Sequence, residues 1–244
     1  MPAPDSISRI PSKIGRLLRR LVPARWHAST PDPVLAEALG PWASAASDIR
    51  DHLGTIFLET VLSRPRLIVE LGTRGGVSTR ALLAAAEVAD AHVLSVDLAD
   101  CSGVELPQRF RPRWSFVRAD DVAFAGKGFA DFCTGRGLPA RAEAILIDTS
   151  HEYDHTRAEI AAWAPRLAAG GALLFHDTNM AAWFRRLDGR AEPGRDNARG
   201  VIRALEEFLG KRFDERTFFV DRAQGYAVWH VPWSSGFTVL RKLD

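Results

Sequence analysis

Short apolar runs alternate with longer stretches of helical periodicity along the chain from Leu67 onward. Each run is apolar at successive positions, as is typical of strands that are covered on both faces. Such strands, when joined by helices, form a parallel sheet with helices on both sides. The C-terminal runs TFFVDR, YAVWHV and FTVLRK fit antiparallel strands at one sheet edge. We therefore predict an α/β fold whose mostly parallel sheet has five parallel strands: LIVEL, HVLSVDL, WSFVRAD, AEAILID and ALLFHD.

The 244 residues fit one large α/β domain over residues 34–244. The hydrophobic fraction of 46% is ordinary for a globular protein and excludes a disordered chain. The domain is predicted to open with a helical lead-in over residues 34–64, broken near Gly40 and again near Gly54. The pattern predicts three further helices, over about 121–137, 154–168 and 201–209.

An arginine-rich stretch, residues 179–200, follows the last parallel strand. Loops longer than about 15 residues are usually functional or disordered. We predict that this stretch is a lid over a substrate, and a solvated insertion is the alternative.

Residues 1–33 form a basic segment before the domain. The first 30 residues carry six Arg or Lys and one Asp, whereas the net charge of the whole chain is only +2. Apolar residues recur at three- and four-residue steps over residues 7–25, which predicts an amphipathic helix. The helix would dock on its own domain or on another subunit of a homo-oligomer, and peripheral contact with an anionic membrane is the alternative. The rest of the chain has no basic excess, so nucleic acid is not a predicted partner.

We expect a cytoplasmic protein, with the inner membrane face as the alternative location. No stretch reaches the roughly 18 apolar residues of a membrane-spanning helix. The N-terminus also lacks the apolar core of a secretory signal. Cys101 and Cys133 show no CxxC spacing, so we predict that they pack in the core rather than form a disulfide or a zinc site.

A glycine-rich turn follows the first predicted strand in VELGTRGGVSTRALL. Glycine permits positive φ and lets a ligand approach the backbone closely. Gly72, Gly75 and Gly76 therefore indicate a site for an adenosine-containing ligand, and a tight strand-to-helix turn is the alternative. The G-x-x-G-G spacing differs from the G-x-G-x-x-G of dinucleotide sites. A helix is predicted to begin near Ser78 and Thr79, whose hydroxyls can cap it.

Acidic residues end the next two predicted strands. Asp97 lies 25 residues after Gly72 and can accept hydrogen bonds from two ribose hydroxyls. Asp120 is a candidate for contact with an adenine amine, and a loop or helix-cap role is the alternative for both Asp120 and Asp121.

The segment from Asp148 to Asp177 carries two carboxylates and two histidines near the ends of the fourth and fifth strands. Ligands bind beyond the carboxyl ends of the strands in an open parallel sheet. Asp148 and Asp177 should therefore face the same crevice as the glycine turn, where they suit a divalent cation such as Mg²⁺. His151 is the predicted general base for a group bound to that cation. As alternatives, Asp148 would cap a helix and His151 would be an ordinary loop histidine.

These motifs resemble class I S-adenosylmethionine-dependent methyltransferases. They are most similar to the metal-dependent O-methyltransferases that include cephalosporin-hydroxylase-like proteins and macrolide-sugar methyltransferases. The resemblance covers roughly residues 55–178 and implies a Rossmann-like sheet. It implies that Glu70 and the glycine turn hold the methionine part of S-adenosylmethionine, that Asp97 holds the ribose and that Asp120 lies near the adenine. It also implies that Asp148 and Asp177 ligate Mg²⁺. The implied cofactor residues are Glu70, Gly72, Thr73, Gly75, Gly76, Ser78, Asp97 and Asp120.

One position departs from this resemblance. The similar sugar methyltransferases have a metal-binding glutamate before the last aspartate, whereas this chain has His176. Imidazole suits Mn²⁺ and other transition ions better than Mg²⁺. Either the preferred metal shifts, with His176 as a ligand, or His176 does not touch the metal.

The resemblance implies methyl transfer to a hydroxyl of a saccharide, in a glycan, a glycolipid or a glycosylated natural product. A catechol-type phenol is the alternative acceptor. A nicotinamide-dependent oxidoreductase is an alternative enzyme, although the glycine spacing and the absence of a Tyr-x-x-x-Lys pair argue against it. A catalytically silent, membrane-associated binding protein with the same fold is a third alternative.

Overall fold

The computed structural model describes residues 33–40 and 47–243 of the chain. The part of the chain from Val34 onward forms one compact unit. The predicted basic helix over residues 7–25 lies outside the described residues, so its membrane and subunit contacts stay predictions. Among the helices that the structure describes, none is long and apolar enough to cross a membrane.

Ten strands and seven α-helices make up the described part of the chain. The strands are β1 (Leu67–Leu71), β2 (His92–Asp97), β3 (Trp114–Arg118), β4 (Ala142–Ile147), β5 (Leu167–His176), β6 (Trp183–Arg185), β7 (Ala191–Pro193), β8 (Phe219–Ala223), β9 (Tyr226–Val231) and β10 (Phe237–Lys242). The helices are α1 (Pro33–Leu39), α2 (Leu53–Leu62), α3 (Val77–Ala89), α4 (Asp121–Phe124), α5 (Lys127–Arg136), α6 (Tyr153–Trp163) and α7 (Gly200–Leu209). Short 3₁₀ segments cover Asp48–His52, Gln108–Arg113 and Ala164–Arg166.

Eight strands form one sheet in the order β3-β2-β1-β4-β5-β10-β9-β8. The first five strands in this order are parallel, and the last three are antiparallel at the β5 edge. The predicted fold, a mostly parallel Rossmann-like sheet with antiparallel strands at one edge, is thereby confirmed. The strand order changes direction between β1 and β4, and ligands of such sheets bind beyond the strand ends at this switch point.

The parallel strands are buried on both faces. Leu67, Val69 and Leu71 of β1 pack in one hydrophobic cluster, whereas Ile68 packs in the cluster on the opposite face. Successive side chains of a strand point to opposite faces, so each cluster receives alternate residues. The helices α2 and α3 cover the Ile68 face, and α5, α6 and α7 cover the other face.

Near the predicted break at Gly54 the 3₁₀ segment Asp48–His52 ends and α2 begins at Leu53, so Gly54 lies in the first turn of α2. The buried residues Ile56 and Phe57 anchor this helix in the core. The helix predicted over 121–137 is interrupted at Gly126 and forms α4 and α5.

The helix predicted over 154–168 ends early, at Trp163. Pro165 follows in a 3₁₀ turn, and proline lacks the backbone N–H that a further α-helical turn needs. The strand β5 therefore begins at Leu167, inside the predicted helix. The predicted packing of Cys101 and Cys133 is confirmed, since both thiols are free and buried.

The arginine-rich stretch 179–200 contains a two-stranded ribbon of β6 and β7. Arg186 is buried and forms ion pairs with Asp51 and Glu192. Arg199 also forms ion pairs with two glutamates. At least two arginines of the stretch therefore hold it against the domain, and its role as a lid stays a prediction.

Candidate active site

The glycine turn joins β1 to α3 and packs against the end of β4. Gly72 has a φ of 85°, and a Cβ atom placed there would lie 2.0 Å from the carbonyl oxygen of Asp148. Any other residue would clash with that backbone. The backbone N–H of Asp148 also donates to the Leu71 carbonyl oxygen at 2.9 Å. The turn and Asp148 are thus fixed side by side.

Glu70 binds hydroxyl groups at the start of α3 and on β2. Its carboxylate accepts hydrogen bonds from Ser78, Thr79 and Ser95 at 2.6–3.0 Å. The prediction that Ser78 and Thr79 cap α3 is wrong, because Gly76 is the N-cap residue and both hydroxyls turn inward to Glu70. Complete burial raises the pKa of Glu70 to about 7, although the three hydroxyls act to lower it. Glu70 braces the turn, and its contact with a cofactor stays a prediction.

Asp97 binds the backbone of the same turn from the end of β2. Its Oδ2 accepts from the N–H groups of Thr73 and Arg74 at 2.8 and 3.1 Å, and its Oδ1 accepts from Ala99 at 2.8 Å. Partial burial alone would raise the pKa of Asp97, but these backbone donors lower it. A carboxylate has about four acceptor positions, and the three backbone donors use three of them while the Cys101 thiol reaches the same group. Ribose hydroxyls would have to share these positions. The predicted ribose contact stays a prediction.

Asp120 is the N-cap residue of the short helix α4. Its Oδ1 accepts from the backbone N–H of Ala123 at 2.8 Å. The cap role that the sequence leaves open for Asp120 is therefore present, and the adenine contact stays a prediction.

The structure brings Asp148, His151, His176 and Asp177 together at the ends of β4 and β5. The Nδ1 atom of His176 lies 3.3 Å from Asp148 Oδ1 and 3.2 Å from Asp177 Oδ2. The Nδ1 atom of His151 lies 2.9 Å from Asp177 Oδ2 and 4.0 Å from Asp148 Oδ1. Both histidines and Asp177 are buried, and Asp148 is partly buried.

The contacts of His151 assign its tautomer. Its Nδ1 donates to Asp177, and its Nε2 lies 3.4 Å from Arg74 Nη2. A guanidinium group can only donate, so Nε2 carries the lone pair. Nδ1 therefore carries the ring proton that Asp177 accepts, and Nε2 is the nitrogen that can accept a proton.

Both ring nitrogens of His176 face acceptors. Its Nδ1 faces the carboxylates of Asp148 and Asp177, and its Nε2 lies 3.3 Å from the carbonyl oxygen of Ser234. Burial acts to lower the pKa of His176, but the charges of the two carboxylates raise it well above its usual range. A metal ion at Nδ1 would therefore have to displace a proton.

Three residues at this cluster are not predicted from the sequence. Asp48, which lies just before α2, offers a carboxylate within 4.8 Å of ligand atoms of His176 and Asp177. Asn197 donates to two backbone carbonyls of the cluster at 3.2 and 3.3 Å. The third residue is Arg74, whose guanidinium group contacts His151. Asp48 and Asn197 lie far from the motif along the chain, so no spacing identifies them. Arg74 lies inside the glycine turn, and this position in the sequence could have identified it as a site residue.

The donor set of this cluster fits a divalent cation. Asp148, His151 and Asp177 offer ligand atoms within 4.8 Å of one another, and Asp48 with His176 and Asp177 forms a second such group. The Oδ1 atom of Asp177 is buried and has no hydrogen-bond partner among the described residues. A cation would satisfy this acceptor. Carboxylates suit Mg²⁺, and an imidazole ligand would shift the preference toward Mn²⁺ or another transition ion.

A cavity of about 210 Å³ opens beside His151. It is smaller than the roughly 300 Å³ of the smallest typical ligand pockets, so it suits part of a larger molecule. The loop after β4 and the stretch 179–200 supply its walls: Ser150, His151, Glu152, Met180, Arg195, Asp196, Asn197 and Ala198.

Residues 69–178 match the family model of a methyltransferase domain. The match begins in β1 and ends just after β5, so it spans the glycine turn and all four residues of the cluster. The predicted enzyme class is thereby confirmed over residues 69–178, which match a methyltransferase domain. No curated protein is similar enough in sequence to count as a match.

Solved structures of the same fold include three proteins that are each 17% identical to this chain. A cofactor-bound protein from Mycobacterium tuberculosis has a TM-score of 0.57, with 96% of this chain and 98% of that chain covered. A protein from Corynebacterium glutamicum has a TM-score of 0.56, with 94% and 97% covered. MycE methyltransferase of the mycinamycin pathway, in complex with Mg, SAH and mycinamycin VI, has a TM-score of 0.54, with 88% of this chain and 56% of that chain covered. At this identity the likeness shows the fold alone.

Proposed function

We propose that the protein is an S-adenosylmethionine-dependent O-methyltransferase that methylates a saccharide hydroxyl with help from a divalent cation. The observation that carries the proposal is the pairing of His151 with Asp177 inside the methyltransferase domain. This pairing makes Nε2 the basic nitrogen of His151. Nε2 faces Arg74, and the acceptor hydroxyl would take the place of that guanidinium group. The carboxylates of Asp148 and Asp177, near Nδ1 of the same ring, fit a cation.

The glycine turn supports binding of the cofactor. S-adenosylmethionine, when bound, supplies a methyl group on a positively charged sulfur. A Cβ atom placed at Gly75 would meet nothing within 4 Å, so the turn is open on that side. The backbone of Thr73 to Gly76 would line the methionine part and Asp97 would accept from the ribose, at the switch point of the sheet. The SAH in MycE, which has the same fold, supports this choice of cofactor.

His151 would remove the proton of the acceptor hydroxyl. A saccharide hydroxyl is a very weak acid, so a base has to take its proton as the new bond forms. Nε2 of His151 would take it, and Asp177 would stabilise the resulting imidazolium because Asp177 already accepts from Nδ1. A divalent cation held by Asp148 and Asp177 would make two neighbouring hydroxyls more acidic and orient them.

The cavity beside His151 would take one sugar unit of a larger acceptor. Its walls include Arg195 to Ala198 of the stretch 179–200, which supports a role for this stretch as a lid over the acceptor. MycE holds Mg and mycinamycin VI on the same fold, which supports a metal and a natural-product acceptor here.

A methyl-transfer assay tests the proposal. Labelled S-adenosylmethionine is incubated with saccharides that carry neighbouring hydroxyls, and with catechol, in Mg²⁺, Mn²⁺ or EDTA. We expect transfer to a saccharide that EDTA abolishes and that Mn²⁺ supports at least as well as Mg²⁺. Asp148→Asn should lose the metal-stimulated transfer, whereas Asp154→Asn, at an exposed carboxylate outside the cluster, should keep it. Transfer that ignores both EDTA and Asp148→Asn would contradict the role of the cation, and transfer to catechol alone would contradict the acceptor.

A further inference from the structure

A second cluster of ligating side chains lies outside the site described above. It consists of Asp121, the first residue of α4, and of His155 and Glu159 on α6. His155 and Glu159 are four residues apart, so they lie one turn apart on the same helix face. The Nε2 atom of His155 lies 3.3 Å from Asp121 Oδ1 and 3.6 Å from Glu159 Oε1.

The two carboxylates of this second cluster are buried, and one oxygen of each lacks a hydrogen-bond partner among the described residues. Asp121 is 5% exposed and Glu159 is 0% exposed. Asp121 Oδ2 and Glu159 Oε2 have no hydrogen-bond partner in the part of the chain that the structure describes. Within that part, the ion pairs of both carboxylates go to His155 alone. Two neighbouring buried carboxylates repel each other unless a proton or a cation lies between them.

The spacing of the ligand atoms matches a four-coordinate metal ion. Two ligand atoms about 2.1 Å from Zn²⁺, at a tetrahedral angle, lie about 3.4 Å apart. The two separations measured from His155 Nε2, 3.3 and 3.6 Å, lie on either side of this value. Thr149 Oγ1 donates to Glu159 Oε1 at 2.7 Å and would orient this carboxylate toward the ion. The His155 side chain is 28% exposed, which gives an ion and a water ligand access from solvent.

We propose that Asp121, His155 and Glu159 bind one transition-metal ion, and that Zn²⁺ is the ion that their chemistry and spacing suit best. A mixed set of imidazole and carboxylate ligands favours a transition ion over Mg²⁺. The ion would remove the repulsion between the carboxylates and tie α4 to α6. The site has ligand atoms of its own and does not depend on the cation held by Asp148.

A Co²⁺ titration of the untagged full chain tests this site, because Co²⁺ replaces Zn²⁺ and absorbs visible light strongly when it is four-coordinate. His155→Gln removes one ligand at a partly exposed position. His92→Gln is the matched control, since His92 is a partly buried histidine that contacts Ser115 outside both clusters. We expect the wild type and His92→Gln each to bind one more equivalent of Co²⁺ than His155→Gln does. We also expect a visible absorption band in the first two proteins that His155→Gln lacks. Equal stoichiometry and equal spectra in the three proteins would overturn the proposal.

Glu159→Gln separates a bound metal from a shared proton. The amide keeps the volume and an acceptor for Thr149 but removes the negative charge. We expect Co²⁺ affinity to fall by at least about 10-fold, the size seen even for outer partners of metal sites, while circular dichroism shows a folded protein. If the carboxylates instead share a proton, Glu159→Gln will bind as much Co²⁺ as the wild type, and the metal site is then wrong.

Discussion

The glycine turn and the Asp148 cluster differ in how completely their carboxylates are partnered. In the turn, Glu70 receives three hydroxyls and Asp97 receives three backbone N–H groups. In the cluster, one buried oxygen of Asp177 has no partner among the described residues. Both ring nitrogens of His176 face acceptors there, which only a ring protonated on both nitrogens can satisfy. The turn is thus a preformed framework, whereas the cluster is where a cation and the chemistry would enter.

The backbone of the cluster is strained, as it also is at Arg74 of the turn, where φ is 44°. His151 and Asp177 have φ values of 63° and 57°, in the left-handed region that side chains other than glycine rarely adopt. Asn197 donates to the carbonyl oxygens of both residues and holds them there. Strain of this kind persists where the surroundings enforce it, and it concentrates at functional sites.

The largest expected effect is on catalysis, from a change in the cluster. His151→Asn removes the proposed base and keeps a residue that tolerates a left-handed backbone. We expect turnover to fall by about 10²–10⁴-fold, while calorimetry shows nearly unchanged binding of S-adenosylhomocysteine. His92→Asn, outside the cluster, is the control. Near-normal turnover in His151→Asn would remove this residue from the mechanism.

A change in the turn should act on stability instead. Glu70→Ala leaves the hydroxyls of Ser78, Thr79 and Ser95 without their acceptor in the interior. Each unpaired buried polar group costs about 1–3 kcal/mol, so we expect the free energy of unfolding to fall by on the order of 3 kcal/mol. Urea denaturation measures this loss, and His151→Asn should lose much less. A Glu70→Ala protein as stable as the wild type would show that the turn does not depend on this network.

The titration of Glu70 should make the stability of the protein depend on pH, which gives a second test of the network around this residue. The pKa of Glu70 is about 7 in the folded protein and 4.5 as its ordinary value, so the folded state binds this proton more tightly. Its contribution is complete below about pH 4.5 and is lost as the pH rises through about 7. Over this range we expect the free energy of unfolding of the wild type to fall by on the order of 3 kcal/mol relative to Glu70→Gln, which cannot titrate. Parallel pH profiles of the two proteins would contradict the raised pKa.

The smallest expected effect concerns Asp120. Asp120→Ala removes the cap of α4 and should lower the free energy of unfolding by about 1 kcal/mol in urea denaturation. Asp120→Asn should restore the cap, because asparagine caps helices as well as aspartate does. A loss of S-adenosylhomocysteine affinity in Asp120→Asn would reveal the predicted adenine contact, since this variant keeps the cap.

The sheet could be predicted from the sequence because its strands are buried on both faces. Such strands are mostly apolar, as in β1, where all five residues are buried and only Glu70 is polar. Helix boundaries were less predictable because packing and local preference compete. Pro165, for example, ends the helix α6 before the apolar periodicity of the sequence does.

The candidate site was predictable only where its residues lie at strand ends. Asp148 and Asp177 follow parallel neighbours, so the topology brings them to one edge of the sheet. Asp48 belongs to the lead-in and Asn197 to the arginine-rich stretch. Tertiary packing brings both residues to the cluster, and no spacing in the sequence predicts that packing. The inward turn of Ser78 and Thr79 likewise depends on a buried carboxylate on the preceding strand.

Calorimetric titration of the protein with S-adenosylhomocysteine, with NADH as the control ligand, tests the central claim most directly. We predict that the protein binds S-adenosylhomocysteine with micromolar affinity and does not bind NADH. We also predict that Asp97→Ala loses the binding of S-adenosylhomocysteine. Binding of NADH alone, or of neither ligand to a protein that circular dichroism shows to be folded, would contradict a methyltransferase.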